Sequence, residues 1–317
     1  MGKTGYFTHR DFWKHEMGKG HPECPERLDA IEDRLLSSGV GDALEHCDVP
    51  LATLDQLLRA HSEEHVEHLQ ALAQRLTDAI SVGGPTHAAV DPDTSINTFT
   101  MLAARRAAGA VIAATDAVMA GELENAFCAV RPPGHHACRD KAMGFCFFNN
   151  VAIAARHAIE KHGLERVAVV DFDVHHGNGT EDILSNDPHV LMVGIFQHPF
   201  YPYSGADNPA PNMLNVPVPA YSRGMDVREI IECLWMPRLE EFKPQMIFIS
   251  AGFDAHRDDE LGQLALNEND FSWITSRVFD VARRHAKGRI VSMLEGGYHF
   301  NALAGSVEAH VRVLAGL

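Results

Sequence analysis

The sequence predicts an α/β fold: a single domain with a mostly parallel central sheet and helices on both of its faces. Short segments rich in β-branched and apolar residues alternate with longer segments at helical period, an alternation typical of such sheets. The chain has 317 residues, of which 45% are hydrophobic, so it can bury a large core. The sequence contains no repeat, low-complexity tract or long linker, which favours one domain over residues 1–317.

The predicted elements follow one another in a regular order. Three early segments have a helical pattern, at 27–38, 62–78 and 99–121. Strands are then predicted in the sequences AFCAV, VAVVDFD, VLMVGIF, MIFIS and IVSML, with helical segments between them.

Local signals mark some boundaries of these elements. Asp226 and Glu229 form a pattern typical of a helix cap, and Gly163 is expected to end the helix that starts near Asn150. The Pro- and Asn-rich piece 199–219 is predicted to be the longest loop, and loops at this place often shape a site.

Composition excludes several classes of function. The formal net charge of -16 disfavours direct binding to nucleic-acid phosphates. No apolar run is long enough to span a membrane and the start of the chain lacks a signal-peptide stretch, so a cytoplasmic protein is expected. The six cysteines form no Cys-x-x-Cys pair, which argues against a disulfide framework or a thiolate zinc site. The sequence is compatible with a homo-oligomer.

Four predicted strands run directly into polar sequences. AFCAV leads into RPPGHH, VAVV into DFDVHHGNGT, MIFIS into AGFDAH and IVSML into EGGYH. Ligands of open parallel sheets bind beyond the carboxyl ends of the strands. His, Asp and Tyr side chains from four strands are therefore expected at one edge, as a single active site requires.

Two of these polar sequences carry a candidate metal site. Residues two apart on an extended segment point to the same side, so Asp173 and His175 can face one ion, with Asp171 one step behind. Asp254 supplies a third ligand from another strand. One His and two carboxylates leave a position open for water, the pattern of a catalytic zinc site, although Fe²⁺ or Co²⁺ would also be accepted.

His135, His136 and Tyr298 are candidates for the other catalytic groups. Adjacent histidines cannot both bind one ion without strain, so the two imidazoles are predicted to be general acid and base groups. Asp171 and Asn178 are their candidate orienting partners. Tyr298 follows two glycines and could bring its hydroxyl to a developing oxyanion.

These residues resemble the histone deacetylase superfamily, particularly its class II-like and bacterial members. The matching pieces are GHPECPERL, RPPGHHA, GFCFFNN, DFDVHHGNGT, SAGFDAH and EGGY, in the family's order from about residue 20 to 300. The resemblance implies one arginase-like α/β domain and a zinc-dependent hydrolase that removes acetyl or other short acyl groups by metal-activated water. The implied substrate is an acylated lysine side chain or a small acylated amine.

The resemblance also implies individual roles. It places zinc on the three candidate ligands, makes His136 the general base and acid, and makes His135 an electrostatic partner held by Asp171. Tyr298 would polarise the substrate carbonyl.

The substrate tunnel of the family can be mapped in the same way. Phe145 and Tyr201 resemble its two aromatic walls, and Gly144 would line it beside them. Arg27 resembles the arginine of an internal channel behind the zinc.

The chain departs from the family pattern at two positions near the metal. Asn178 stands where class I members have Asp, so His136 should be less strongly polarised than in that class. Gly194 stands where the family's potassium site has a serine hydroxyl, which weakens the expectation of K⁺ there.

Substrate choice depends on the rim of the tunnel. Leu261 resembles a position at which one group of the family's polyamine deacetylases has an acidic gatekeeper. A leucine there favours acyl-lysine or a general short acyl amide over acetylpolyamine, while neighbouring Asp259 and Glu260 keep acetylpolyamines as an alternative. Asp91 and Asp93 lie where the family often has an acid that grips substrate backbone amides, and the sequence does not choose between them.

Three rival interpretations are less well supported. His61, Glu64 and His65 match the H-x-x-E-H pattern of inverted zinc peptidases, but a solvated helical face is favoured. An arginase-like ureohydrolase would need further Asp ligands for a second metal, and the runs that supply them are not in the sequence. A non-catalytic acyl-lysine-binding module would be indicated by loss of a ligand or of the tyrosine, and none is lost.

Overall fold

Eight parallel strands form the centre of the molecule, for which a computed structural model describes residues 2–317. In chain order the strands are β1 (Thr4–Phe7), β2 (Leu44–Cys47), β3 (Ala88–Asp91), β4 (Thr94–Ile96), β5 (Asn125–Cys128), β6 (Val167–Asp171), β7 (Val190–Gln197), β8 (Met213–Val218), β9 (Met246–Ala251) and β10 (Ile290–Leu294). Their order across the sheet is β2-β1-β5-β10-β9-β6-β7-β8, and β3 and β4 form a separate antiparallel hairpin. The predicted parallel sheet is confirmed.

Helices cover both faces of this sheet. They are α1 (Glu26–Ser37), α2 (Leu54–Leu57), α3 (Glu63–Ser81), α4 (Thr100–Ala120), α5 (Asn150–His162), α6 (Asn178–Leu184), α7 (Gly224–Ile230), α8 (Met236–Phe242), α9 (Glu268–His285) and α10 (Phe300–Ala315). Helices α4 and α5 pack on each other and on β5, β6, β9 and β10, while α1, α9 and α10 form a second layer. Strands β5, β6, β9 and β10 are buried along their whole length, as strands covered on both faces must be.

The four strands that end in polar sequences are neighbours at the centre of the sheet, in the order β5-β10-β9-β6. Asp171 at the end of β6 lies opposite Ser250 on β9, and Ala251 lies opposite Leu294 on β10. Because the strands are in register and parallel, the residues that follow them emerge at one edge, as predicted.

The predicted loop 199–219 is wrong in its second half. Residues Met213–Val218 form β8, which pairs with β7 at the edge of the sheet. Only part of β8 is buried, and Pro217 lies in it, which an edge strand tolerates because one side of its backbone needs no partner. Those features hid the strand from a search for continuous apolar runs.

The two predicted helix boundaries have different outcomes. Gly163 ends α5 in the left-handed conformation with φ 67°, which confirms that prediction. The predicted cap at Asp226 and Glu229 is wrong, because Arg223 precedes the helix and its backbone N–H donates to Asp226 at 2.8 Å. Within residues 2–317, no helix has both the length and the apolar character needed to cross a membrane.

Candidate active site

Asp173, His175 and Asp254 form a compact cluster at the carboxyl edge of the sheet. Their potential ligand atoms all lie within 4.8 Å of one another. His175 Nδ1 is 3.0 Å from Asp173 Oδ1 and 3.2 Å from Asp254 Oδ2. Both carboxylates are buried, whereas the imidazole is partly exposed to a cavity. The three residues that the sequence indicated as ligands therefore meet at one point.

The donor atoms of this cluster fit a divalent cation. Asp254 Oδ2 is buried without a hydrogen-bond partner, a costly arrangement for a carboxylate oxygen unless a cation binds it. Burial and the neighbouring charge of Asp173 raise the pKa of Asp254 to about 7. Burial alone would lower the pKa of His175, but the hydrogen bond to Asp173 and the negative charges of Asp254 and Asp173 outweigh it and raise that pKa to about 10. Neighbouring carboxylates contribute to both upward shifts, so the cluster carries an excess of negative charge that a bound cation would balance.

Two glycines allow the backbone to approach these carboxylates. A Cβ atom at Gly252 would overlap the Asp173 carboxylate, and one at Gly296 would overlap that of Asp254. The backbone N–H of Gly296 donates to Asp173 Oδ2 at 2.9 Å. Gly252 in AGFD and Gly296 in EGGY therefore let the backbone lie directly against the two carboxylates, in addition to any flexibility they give the loops.

His135 and His136 lie beside the cluster with different partners. His135 Nδ1 is 3.0 Å from Asp171 Oδ2, and His136 Nδ1 is 2.7 Å from Asn178 Oδ1. These are the two partners named from the sequence. Burial would lower the pKa of His135, but the charges of Asp173 and Asp171 raise it well above the usual value. Burial and the charges of His135 and His175 hold the pKa of His136 well below the usual value.

The amide of Asn178 has a defined orientation. Its Nδ2 group faces the sulfur atoms of Cys138 at 3.4 Å and Met143 at 3.5 Å, so its Oδ1 atom faces His136. Because an amide oxygen only accepts, the Nδ1 atom of His136 carries a proton. In the neutral imidazole, Nε2 is then the free acceptor.

Tyr298 is held from both sides of its loop. The Arg27 guanidinium lies over its ring at 4.9 Å and donates to the backbone oxygens of Gly297 and Glu295, each at 2.6 Å. The buried carboxylate of Asp259 accepts from the backbone N–H of Tyr298 at 2.6 Å. Burial raises the pKa of Tyr298, so its hydroxyl keeps the proton that a hydrogen-bond donor needs.

A cavity of about 270 Å³ opens over these groups. The residues predicted from the sequence that line it are Asp93, His135, His136, Gly144, Phe145, His175, Tyr201, Leu261 and Tyr298. Asp91 is not among them, so Asp93 is the acid of that pair at the cavity. Glu260 lines it beside Leu261.

Aromatic rings form much of the cavity wall. The Phe145 ring meets the Tyr298 ring edge to face with centroids 5.9 Å apart, and the Tyr201 ring meets His136 at 5.3 Å. Phe200 stacks on His175 at 5.4 Å with an interplanar angle of 19°. Phe200 was not predicted as a site residue, although its place beside Tyr201 in PFYP was a usable signal.

Comparison with known proteins identifies the family. Residues 21–314 match the family model of the histone deacetylase domain. The chain is 40% identical to a histone deacetylase-like amidohydrolase of Pseudomonas aeruginosa, over 88% of this chain and 73% of that protein. It is 36% identical to a probable deacetylase of Archaeoglobus fulgidus, over 93% of this chain and 81% of that protein. The crystal structure of the HDA15 HD domain matches with a TM-score of 0.91 at 32% identity, over 100% of this chain and 90% of that one. The chain belongs to the histone deacetylase family.

This deacetylase-family hydrolase has a further buried acid in its site. Glu295 Oε2 accepts from the backbone N–H groups of Gly134 at 2.7 Å and His135 at 3.1 Å, and Ser250 donates to Oε1 at 3.1 Å. Glu295 therefore ties the end of β10 to the loop that carries the two catalytic histidine candidates. No role was predicted for Glu295, although its position directly after the buried strand β10 was a usable signal.

The HSEEH segment has a different role from the one expected. His61 and His65 are buried, so the predicted solvated face is wrong for them, whereas Glu64 is exposed. His61 Nε2 accepts from the backbone N–H of Asn149 at 2.8 Å, and His65 Nε2 lies 2.9 Å from the backbone oxygen of Phe147. Both imidazoles thus contact the backbone of the GFCFFNN segment.

A second group of potential ligands lies away from the cavity. His157 Nε2 and His162 Nε2 lie 2.7 and 2.6 Å from Asp116 Oδ1. The Arg59 guanidinium contacts the other nitrogen of His157, and a donor there requires the Nε2 atom to carry the proton. His157 therefore donates to Asp116, and the contacts of Asp116 with His157 and His162 join α4 to α5.

Proposed function

We propose that this protein is a zinc-dependent amide hydrolase that removes acetyl or another short acyl group from an acylated lysine side chain. The observation that carries the proposal is the cluster of Asp173, His175 and Asp254, with its unpartnered carboxylate oxygen, at the base of a cavity with aromatic walls. One imidazole and two carboxylates are a donor set for catalytic zinc, with Fe²⁺ or Co²⁺ as possible substitutes. K⁺ is not part of the proposal, because Gly194 brings no hydroxyl to the position beside Asp171.

When bound at this cluster, zinc would polarise the substrate carbonyl and lower the pKa of a water molecule. His136 would take a proton from the attacking water at Nε2, because Asn178 keeps its Nδ1 atom protonated. The same imidazole would then protonate the leaving amine nitrogen, so that acetate and a free amine are released. His135, hydrogen-bonded to Asp171, would support the developing charge beside it.

Tyr298 would donate its hydroxyl hydrogen bond to the oxyanion that forms on the carbonyl. Its backbone is held by Asp259 and its ring by Arg27, so little reorganisation is needed when the charge develops.

The shape and the rim of the cavity favour acyl-lysine. A lysine side chain is an apolar stem of four methylenes, which suits a cavity lined by Phe145, Tyr201 and Leu261. Asp93 is placed to accept hydrogen bonds from the backbone amides of a peptide. Glu260 also lines the cavity and would attract a distant ammonium group, which keeps acetylpolyamine hydrolysis as a second candidate.

The decisive experiment measures acetate release by the purified protein from an acetyl-lysine peptide and from an acetylated polyamine. Hydrolysis that is lost on chelation and restored by added Zn²⁺ is expected, with the higher kcat/KM for the peptide. A metal-loaded protein that hydrolyses neither substrate contradicts the proposal. If that protein still binds the acetylated peptide, the non-catalytic acyl-lysine-binding module is supported instead.

A further inference from the structure

Residues 143–146 form a tight turn in the wall of the cavity. Met143 and Cys146 exchange backbone hydrogen bonds of 3.1 and 3.0 Å, with Gly144 at φ 56° and Phe145 at φ 68° between them. Positive φ at both central residues is the pattern of a type I′ turn. Glycine adopts such angles freely, whereas phenylalanine is strained there and needs contacts that hold it.

The hydroxyl of Thr94 provides such a contact. The backbone N–H of Phe145 donates to Thr94 Oγ1 at 2.9 Å, and the same hydroxyl donates its proton to Asp93 Oδ1 at 2.9 Å. Thr94 is fully buried at the start of β4. One hydroxyl thus joins the strained aromatic residue of the wall to the acid at the cavity.

His21 forms a second link between the β3–β4 hairpin and the turn 143–146. The His21 ring meets the Phe145 ring at 4.6 Å, and His21 Nε2 lies 3.2 Å from the backbone oxygen of Asp93. The β3–β4 hairpin therefore holds Phe145 directly through Thr94 and indirectly through His21. A shift of the hairpin would move the ring that faces Tyr298.

We propose that Thr94 is a positioning residue for substrate binding. Its hydroxyl keeps Phe145 in the left-handed conformation, and so keeps the aromatic wall in the position that an acyl-lysine chain requires. The inference rests on the proposed function, because the position of the wall affects turnover only if the acylated chain enters this cavity.

The experiment compares Thr94→Val, which has a similar shape without a hydroxyl, with Thr94→Ser, which keeps the hydroxyl. Amide hydrogen exchange at Phe145 is measured first, because it requires no activity. Exchange is expected to be faster in Thr94→Val and close to wild type in Thr94→Ser. For an acetyl-lysine peptide, Thr94→Val should raise KM about tenfold, the effect of one lost hydrogen bond on the bound state, with a smaller change in kcat.

Two controls separate this role from a general loss of structure. Ser95→Ala changes the opposite face of the same strand and should leave both exchange at Phe145 and KM near wild type. In a Phe145→Ala background, Thr94→Val should no longer raise KM, because the ring that Thr94 positions is gone.

The outcomes are distinguishable. Three results would overturn the inference. Thr94→Val could leave exchange at Phe145 unchanged, or Thr94→Ser could raise KM and exchange as much as Thr94→Val does. Thr94→Val could also raise KM fully in the Phe145→Ala background. A wild-type protein that lacks turnover while its Phe145 amide is protected by Thr94 contradicts the proposed function and leaves the hydrogen bond established.

Discussion

The floor and the rim of the cavity are built in different ways. The floor consists of the residues that follow β5, β6, β9 and β10, and most of its polar side chains are buried. The rim consists of the hairpin 88–96 and the loops 198–212 and 257–263, which come from separate parts of the chain. The parallel sheet thus positions the candidate catalytic residues, and we expect the loops of the rim to select the substrate.

The floor residues also depend on one another more than the rim residues do. Asp171, Asp173, Asp254 and Glu295 are all buried carboxylates around two adjacent imidazoles. Replacing one of them changes the charge that all the others experience. Large effects are therefore expected from substitutions in the floor, and smaller, substrate-dependent effects from substitutions in the rim.

The largest effect is expected for Tyr298→Phe, which removes one hydroxyl from the floor. Turnover should fall on the order of a hundredfold or more, because the oxyanion loses a preorganised hydrogen-bond donor. The metal content should stay at the wild-type level, since Tyr298 is not among the three clustered ligands. Steady-state kinetics and metal analysis of the same preparation test both expectations.

Arg27 and Asp259 should hold the ring and backbone of the Phe variant as they hold those of Tyr298. An intact melting temperature is therefore expected and serves as the control for folding. Activity that survives the substitution would show that the carbonyl is polarised without this hydroxyl.

A smaller effect is expected below the floor, at His310. Its imidazole lies between Thr275 and Ser292, with Nδ1 2.6 Å from Thr275 Oγ1 and Nε2 2.8 Å from Ser292 Oγ. Burial lowers the pKa of His310 to about 3. The unfolded chain binds a proton near the usual pKa of about 6.5, so the stability contributed by this group is complete above that pH and is lost as the pH falls toward 3.

His310→Gln should remove this pH dependence. Between pH 7.5 and pH 5, the wild-type free energy of unfolding should fall by about 2 kcal/mol more than that of the variant. Urea unfolding at the two pH values measures the difference. His68→Gln, on the exposed side of α3, is the matched control and should behave as the wild type does. Equal pH dependence of His310→Gln and wild type would mean that His310 is charged in the folded protein.

The same division explains which features could be predicted from the sequence. The meeting of Asp173, His175 and Asp254 followed from strand order and period, because residues after adjacent parallel strands have little choice of position. The support of Phe145 by Thr94 could not be inferred, because it joins a short hairpin to a strained turn across 51 positions of sequence. The buried roles of His61 and His65 were hidden for a related reason: their charged neighbours indicate a solvated helix, and their partners are distant backbone groups.

The smallest effect is expected at the rim, for Leu261→Glu. Asp259 Oδ1 accepts from the backbone N–H of Leu261 at 3.0 Å, so the loop should keep its path and only the side chain should change. A carboxylate there would join Glu260 and attract the free ammonium groups of an acetylpolyamine. The ratio of kcat/KM for acetylpolyamine to that for acetyl-lysine peptide should rise by about tenfold, the effect of one favourable charge pair near a protein surface.

Leu261→Met is the control for this substitution, because it keeps the apolar character and should leave the ratio unchanged. If both variants leave the ratio at the wild-type value, Leu261 does not select the substrate, and selection must lie with other residues of the rim such as Asp93 and Glu260.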